Sequence, residues 1–591
     1  MTRGGAPGAS RELLETLDRE GLTALRSLPE ERLPELCAEL REAIVEVCGK
    51  VGGHLGASLG AVELTVALHR VFRSPKDKLV FDVGHQAYAH KLLTGRAARM
   101  HTLRQEGGIS PFLDPTESPH DAFGAGHACT AVSVALGMAQ AHALTGDDGR
   151  CVAIIGDGAL TGGLTFEALN TAATAGVPLT VVVNDNMMSI SENVGAISRL
   201  LKGPEARAFF ESLGFTYLGP VDGHDLGALT SALGEARKAR LPVVLHARTQ
   251  KGRGFADAES DARTRGHAMG PFEWRGGKLV RSRGGRATFS EAFADALAER
   301  MAQDRRVVAV TPAMLEGSAL VALKERFGDR VFDVGIAEQH AVTFSAGLAA
   351  RGLRPVCAIY STFMQRAVDS WIHDVLLPGL PVVLAVDRAG LVGADGATHQ
   401  GAYDLPLLTA APGASVMSPV VGGDVAPLLA HALSLDGPSV LRFPRLTLPE
   451  VTGIDVGDPG RARWLLRAEG SAPARGCIVS FGHLGVEALS AARQLEGVSV
   501  LDARYAAPLD EEALAEAAEL GGKLLTVEEG TPRGGFGAAV MEWAARSGTR
   551  VEVRSMALPH RFIRHGDARA QRAVLGLDAE GIRRAAEAFL R

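Results

Sequence analysis

The chain has 591 residues, too many for one hydrophobic core, so roughly two to four domains are expected. It is 46% hydrophobic and 22% charged, the balance of a water-soluble globular protein. A formal net charge of -6 argues against general attraction to nucleic acid or to an anionic membrane. Nothing else in the sequence supports nucleic-acid binding. No run approaches the roughly 18 apolar residues that would span a bilayer.

The first ten residues, MTRGGAPGAS, lack the apolar stretch of a secretory signal and read as a tail. Cys37, Cys48, Cys129, Cys151, Cys357 and Cys477 include no C-x-x-C pair. Most lie beside apolar residues, as expected for reduced, buried thiols in a cytoplasmic protein.

Short β-branched runs alternate with helical stretches along the whole chain. KLVFDV, CVAIIGD, LTVVVND and PVVLHAR come first, then RVVAVTP, VFDVGIAE, PVCAIYS, PVVLAVDR and SVLRFPR, and finally GCIVSFG, VSVLDAR, KLLTVEE and RVEVRSM. Continuous apolar strands separated by helices predict an α/β fold with mostly parallel sheets covered on both faces. Two Gly-, Arg-, Pro- or Asp-rich stretches, 275–286 and 450–467, read as linkers, with a new helix starting at Thr288. Domains are therefore expected at 1–285, 286–455 and 456–591.

CVAIIGDGALTGG ends an apolar strand on Gly156, Asp157 and Gly158 and then opens a helix. A carboxylate there lies in the crevice where parallel sheets bind ligands. The glycines permit close backbone approach, and a helix N-terminus favours a diphosphate. About thirty residues later, one helical crossover, LTVVVND delivers Asn186 to the same sheet edge. Asp157 and Asn186 are hard oxygen ligands suited to Mg²⁺. A lone G-D-G is often only a turn; G-D-G and N-D-N, each after a buried strand, are more telling. The pair resembles the thiamine diphosphate motif of the transketolase superfamily. That resemblance implies magnesium binding by Asp157, Asn186 and the main-chain carbonyl of Met188, with Gly158 and Ala159 at the cofactor.

VFDVGIAEQH places Glu338 at the end of an apolar strand. A carboxyl group there must be paired or stay protonated. The resemblance implies that Glu338 holds the cofactor's pyrimidine nitrogen and so promotes removal of the thiazolium proton. Phe363, in YSTFMQRAVD, is then expected to pack on the pyrimidine ring.

The likeness continues from VGGHLGASLGAVEL through FDVGHQAYAHKLLTG, GHACT, NDNMMSISENVGA, GPVDGHD, KGRGF, DRAGLVGADGATHQGAYDL and TVEEGTPRGGFG to LPHRFIRHG. These segments, in this order, are similar to the 1-deoxy-D-xylulose-5-phosphate synthase family over nearly the whole chain. Membership implies a homodimer with a thiamine diphosphate cleft between first and second domains. It also implies that pyruvate loses carbon dioxide and that its two remaining carbons join D-glyceraldehyde 3-phosphate.

On that basis His54, His85 and His399 are candidates for proton transfer, with His267 a fourth whose flanks fit the family poorly. His85 is also expected near the cofactor. Gly126, His127 and Ala128 are expected to line the diphosphate or thiazolium, and Lys251 and Phe255 to close over it. Arg388 and Arg445 are expected to bind the acceptor phosphate through their guanidinium forks, with Tyr360 and Arg366 nearby. Asp395 is expected to orient its loop or contact the acceptor hydroxyl.

The sequence departs from the family at three places. The path from S-E-N-V-G to GPVDGHD is short, Ala57 stands where many relatives have serine, and RFPRL lacks a glycine after its arginine. The alternatives are another transketolase-type enzyme, which would use a different donor or acceptor, and a silent scaffold, which would lack Glu338 or Asp157.

Overall fold

The computed structural model describes residues 11–189, 193–267, 269–275, 278–281, 285–468 and 473–590. The expected tail at residues 1–10 lies outside them, as does part of the 275–286 linker. The chain forms two compact units, Met1–Arg283 and Gly284–Arg591.

The first unit is built on a parallel sheet of β1 (Lys78–Phe81), β2 (Cys151–Gly156), β3 (Leu179–Asp185), β4 (Thr216–Asp222) and β5 (Val243–Arg248), in the order β1-β2-β3-β5-β4. All seven residues of β3 are buried, which is why its centre, Val181–Val183, is apolar on both faces rather than alternating. Phe72, Phe81, Ile154, Val182, Leu229 and Leu245 belong to one core cluster beside this sheet. An antiparallel hairpin follows, β6 (Phe272–Arg275) with β7 (Lys278–Arg281).

The second unit contains β8 (Val307–Thr311), β9 (Val331–Asp333), β10 (Arg354–Tyr360), β11 (Val383–Asp387), β12 (Ser415–Met417) and β13 (Ser439–Arg442). After these come β14 (Arg463–Leu466), β15 (Gly476–Ser480), β16 (Val498–Asp502), β17 (Tyr505–Ala507), β18 (Lys523–Val527) and β19 (Glu552–Met556). One sheet runs β17-β12-β13-β11-β10-β8-β9, parallel except where β17 joins β12. The other runs β14-β16-β15-β18-β19, parallel except for β14. Because β17 belongs in sequence to the last segment, that segment completes the preceding sheet. Their cores merge as well, with Trp371, Val386, Cys477, Leu501 and Trp543 in one cluster. The α/β class with mostly parallel sheets is therefore what the structure has.

The helix start at Thr288 is present. Its side chain accepts from the Glu291 N–H while Glu291 accepts from the Thr288 N–H, closing a capping box before Phe289–Gln303. Three expectations need correction. The 450–467 stretch is not linker to its end, because β14 begins at Arg463, whose guanidinium donates to Asp424 and Asp502 in a buried cluster. The turn after β2 is a short 3-10 segment, Asp157–Thr161, and the helix proper starts at Gly163. Glu338 does not end a strand. β9 stops at Asp333, and Glu338 is the first residue of the helix Glu338–Ala350.

All six cysteines are buried. Among the described residues no helix is long and apolar enough to cross a membrane.

Candidate active site

In the first unit, functional side chains gather at the carboxyl ends of the strands. Asp157 follows β2 and is 3% exposed. Asn186 follows β3, where two side chains fold back on the chain. Asp185 Oδ1 accepts from the Met187 N–H at 3.1 Å and Asn186 Oδ1 from the Met188 N–H at 3.1 Å. Between them Met187 adopts φ +61°, a left-handed conformation uncommon outside glycine. Gly158 lies close under this turn, since a Cβ there would come within 3.0 Å of Ser189.

Burial, and next the neighbouring Asp185 carboxylate, hold the Asp157 carboxyl well above its usual range. Burial would raise Asp185 too, but the hydrogen bond and charge of His246, the Met187 N–H and Asp157 together outweigh this and keep it low. Asp157 Oδ1 is buried without a hydrogen-bond partner among the described residues. Two facing carboxyl groups, an unused carboxylate oxygen, an amide oxygen and a nearby main-chain carbonyl suit a small hard cation. Magnesium therefore fits this donor set. Among the described residues no group of three or more His, Cys, Asp or Glu is placed to hold a metal ion.

The GHACT loop is held by Asp82, just past β1, whose carboxylate accepts from the Cys129 N–H at 2.9 Å and the Ala131 N–H at 3.1 Å. This fixes the backbone that follows Gly126, His127 and Ala128; just before them, Ala125 lies so near Gly84 that a Cβ on the glycine would come within 2.9 Å of it. Lys251 donates to the Ser189 carbonyl at 2.6 Å, and burial brings its amine down to about 7 against the raising effect of Asp157. Phe255 is buried and packs against Phe272.

His54, His85 and His267 form one cluster. Ring centroids are 6.3 Å apart for His54 and His85, 5.6 Å for His54 and His267, and 5.5 Å for His85 and His267. Their rings come together because a late segment docks on an early one. Gly53 and Met269 exchange backbone hydrogen bonds at 2.8 and 2.9 Å, and the Gly56 N–H donates to Gly266 at 2.8 Å. Burial lowers His85 to about 3 and His267 well below its usual value. Both are neutral imidazoles at physiological pH, able to accept or relay a proton. Ala57 is buried in the helix Leu55–Gly60, where the adjacent Ser58 hydroxyl donates to the His85 carbonyl at 3.0 Å.

In the second unit Glu338 is 3% exposed. Burial raises its carboxyl, opposed by Arg366, whose Nη1 lies 3.5 Å away. Tyr360 and Phe363 stack at 5.5 Å, and Phe363 meets His399 edge-on at 5.5 Å. His399 Nδ1 is 2.9 Å from the Thr398 hydroxyl. Arg388 lies 4.3 Å over the Tyr360 ring, donates to Ser290 Oγ at 2.9 Å and pairs with Asp387. Arg445 pairs with Asp395 at 2.9 Å. Both arginines expected at the phosphate thus already carry carboxylate partners, which the sequence did not indicate.

Sequence reasoning passed over Asp82, Asp185, His246 and Asp387. His246 had a signal, a polar residue inside the apolar run PVVLHAR, where burial demands a partner. The others read as ordinary strand-end acids.

A 1-deoxy-D-xylulose-5-phosphate synthase from Myxococcus xanthus is 65% identical over 580 residues, covering 98% of this chain and 99% of its own. This chain belongs to the 1-deoxy-D-xylulose-5-phosphate synthase family. A synthase from Anaeromyxobacter sp. (strain Fw109-5) is 49% identical over 633 residues, covering 98% of each chain. The 1-deoxy-D-xylulose-5-phosphate synthase family profile matches residues 17–208 and 204–249. The profiles of the transketolase pyrimidine-binding and C-terminal domains match 286–450 and 473–582. A solved transketolase from Pichia stipitis is 17% identical over 97% of this chain and 98% of its own, with a TM-score of 0.45. The compact length of this synthase-family chain is shared with the Myxococcus relative, and the longer alignment belongs to the Anaeromyxobacter one. Here Asn193 reaches β4 through only two helices, Gly195–Lys202 and Glu205–Leu213.

Proposed function

We propose that this chain condenses pyruvate with D-glyceraldehyde 3-phosphate to give 1-deoxy-D-xylulose 5-phosphate and carbon dioxide, using thiamine diphosphate and Mg²⁺. The observation that carries the reading is 65% identity to a synthase of that name over nearly the full chain. Retention of Asp157 and Glu338 as buried carboxyl groups, with Asn186 half-buried beside the Met187 turn, supports it and argues against a silent scaffold.

Bound thiamine diphosphate supplies the electron sink that lets pyruvate lose carbon dioxide. Asp157, Asn186 and the Met188 carbonyl hold the magnesium, and Gly126, His127, Ala128, Gly158, Ala159, Lys251 and Phe255 contact the cofactor. The Glu338 carboxyl, raised by burial, makes a hydrogen bond with a ring nitrogen. Phe363 presents a flat apolar face to the pyrimidine ring. His54, His85, His267 and His399 move protons at the ketone and aldehyde oxygens. Arg388 and Arg445 bind the acceptor phosphate, with Tyr360 and Arg366 beside it, and Asp395 orients the loop. The protein works as a cytoplasmic homodimer of three domains, near 1–285, 286–455 and 456–591.

The deciding assay uses purified protein, magnesium and thiamine diphosphate. Carbon dioxide release from pyruvate should accelerate when D-glyceraldehyde 3-phosphate is added, with deoxyxylulose phosphate as product. Absence of that product overturns the assignment. Light scattering on the purified protein reads the dimer directly.

A further inference from the structure

β3, β4 and β5 place a buried polar chain behind the metal site. The Tyr217 hydroxyl, on β4, lies 2.7 Å from His246 Nδ1 on β5, and His246 Nε2 lies 2.8 Å from Asp185 Oδ2 at the end of β3. Tyr217 is 4%, His246 0% and Asp185 3% exposed. A carboxylate only accepts, so His246 Nε2–H donates to Asp185, and Nδ1 accepts from the tyrosine hydroxyl. The second Asp185 oxygen accepts from the Met187 N–H, and the Asp185 carbonyl accepts from the Thr249 N–H at 2.9 Å. Every contact of this aspartate fixes it in one orientation.

We propose that Tyr217, His246 and Asp185 form a strut that positions the magnesium ligands Asn186 and Met188. The inference rests on the reading of those two residues, with Asp157, as the ligands. Asp185 immediately precedes Asn186, and its oxygen grips the N–H of Met187, the residue between the ligands. Met187 is held at φ +61°, a conformation its side chain disfavours. A strained turn persists only where its surroundings over-determine it, and here the determinant is the Asp185 carboxylate. His246 holds that carboxylate from behind through its other oxygen and is itself backed by Tyr217. An apolar trio could fill the same space, so a fully paired polar chain behind a ligand turn is best explained by orientation. Met187 itself is 48% exposed and supplies no packing that would hold the turn.

The test is Mg²⁺ titration into the full-length protein with thiamine diphosphate present, followed by calorimetry, alongside thermal unfolding of the metal-free protein. His246→Leu should weaken Mg²⁺ about 10- to 100-fold, the usual consequence of losing an outer partner of a metal ligand. His246→Gln, which can still donate toward Asp185, should recover most of that loss. Tyr217→Phe should weaken Mg²⁺ a few-fold while leaving the metal-free melting temperature nearly unchanged. If His246→Leu fails to fold, Tyr217→Phe decides. Unchanged Mg²⁺ affinity in the folded variants, with only a lower melting temperature, overturns the strut. Asn186→Ala controls the underlying reading: unchanged affinity there overturns the ligand assignment instead, whatever the strut variants do.

Discussion

Arg445 Nη1 donates to Asp395 Oδ2 at 2.9 Å across a half-exposed surface, whereas the neighbouring Arg388 is paired with Asp387, which is fully buried. The contrast separates two arginines that look alike in sequence. An exposed ion pair contributes about 0–1 kcal/mol, so Arg445 is free to exchange a carboxylate for a phosphate. Arg388 is a fixed anchor, held also by Ser290 and by the Tyr360 ring.

Arg445→Ala should therefore shift unfolding free energy by less than about 1 kcal/mol while raising the acceptor KM roughly tenfold or more. Arg388→Ala should both destabilise the protein and weaken the acceptor, because it strands the buried Asp387 carboxylate. Thermal unfolding beside acceptor kinetics checks the pair. An unchanged acceptor KM in both variants removes them from the phosphate site.

Glu338→Gln should lower kcat by about 10²-fold or more, the range for loss of a positioned acid–base group. Stability should hold or rise, since burial already disfavours the charged carboxylate. Near-normal turnover with an intact fold would exclude its assigned role.

His85 gives a pH signature in the cofactor-free protein. Its folded value is lowered to about 3 by burial, so between there and its ordinary value the unfolded chain binds a proton that the native state refuses. Unfolding free energy must then fall as pH drops through that window, by up to about 1.4 kcal/mol per pH unit for this group. His85→Asn should flatten the stability slope between pH 6 and pH 4 by about one proton. Denaturant titrations across that range would read an equal slope if His85 were not the group.

Asp121 is the hub of a buried network with His90 and Arg96. It accepts from His90 Nε2 at 3.1 Å, from Arg96 at 2.8 and 2.9 Å, and from the Asp114 N–H at 3.0 Å. Those donors outweigh burial and hold its carboxyl well below the usual range. Asp121→Asn should cost about 3–5 kcal/mol of stability, because it leaves Arg96 buried with one fewer counter-charge. Unfolding within 1 kcal/mol of the unmutated protein would show that the network relaxes.

Much of the architecture was legible because strand periodicity and strand-end chemistry are local. CVAIIGD and LTVVVND announce buried parallel strands, and Asp157 and Asn186 stand at their carboxyl ends because the apolar run stops there. Glu338 was misread as a strand end. The apolar letters of VFDVGIAE continue past Asp333, but Gly335, at φ +75°, turns the chain before the helix begins. Only the tertiary structure could bring His267 to His54 and His85, since backbone hydrogen bonds between Gly53 and Met269 join positions far apart in sequence. Only it could show Arg445 and Arg388 already engaged by carboxylates, or Tyr217, His246 and Asp185 aligned behind the turn at Asn186–Met188. Local sequence determines which residues end a strand. Which side chains then face one another depends on strand order and register, and those follow from packing over the whole chain.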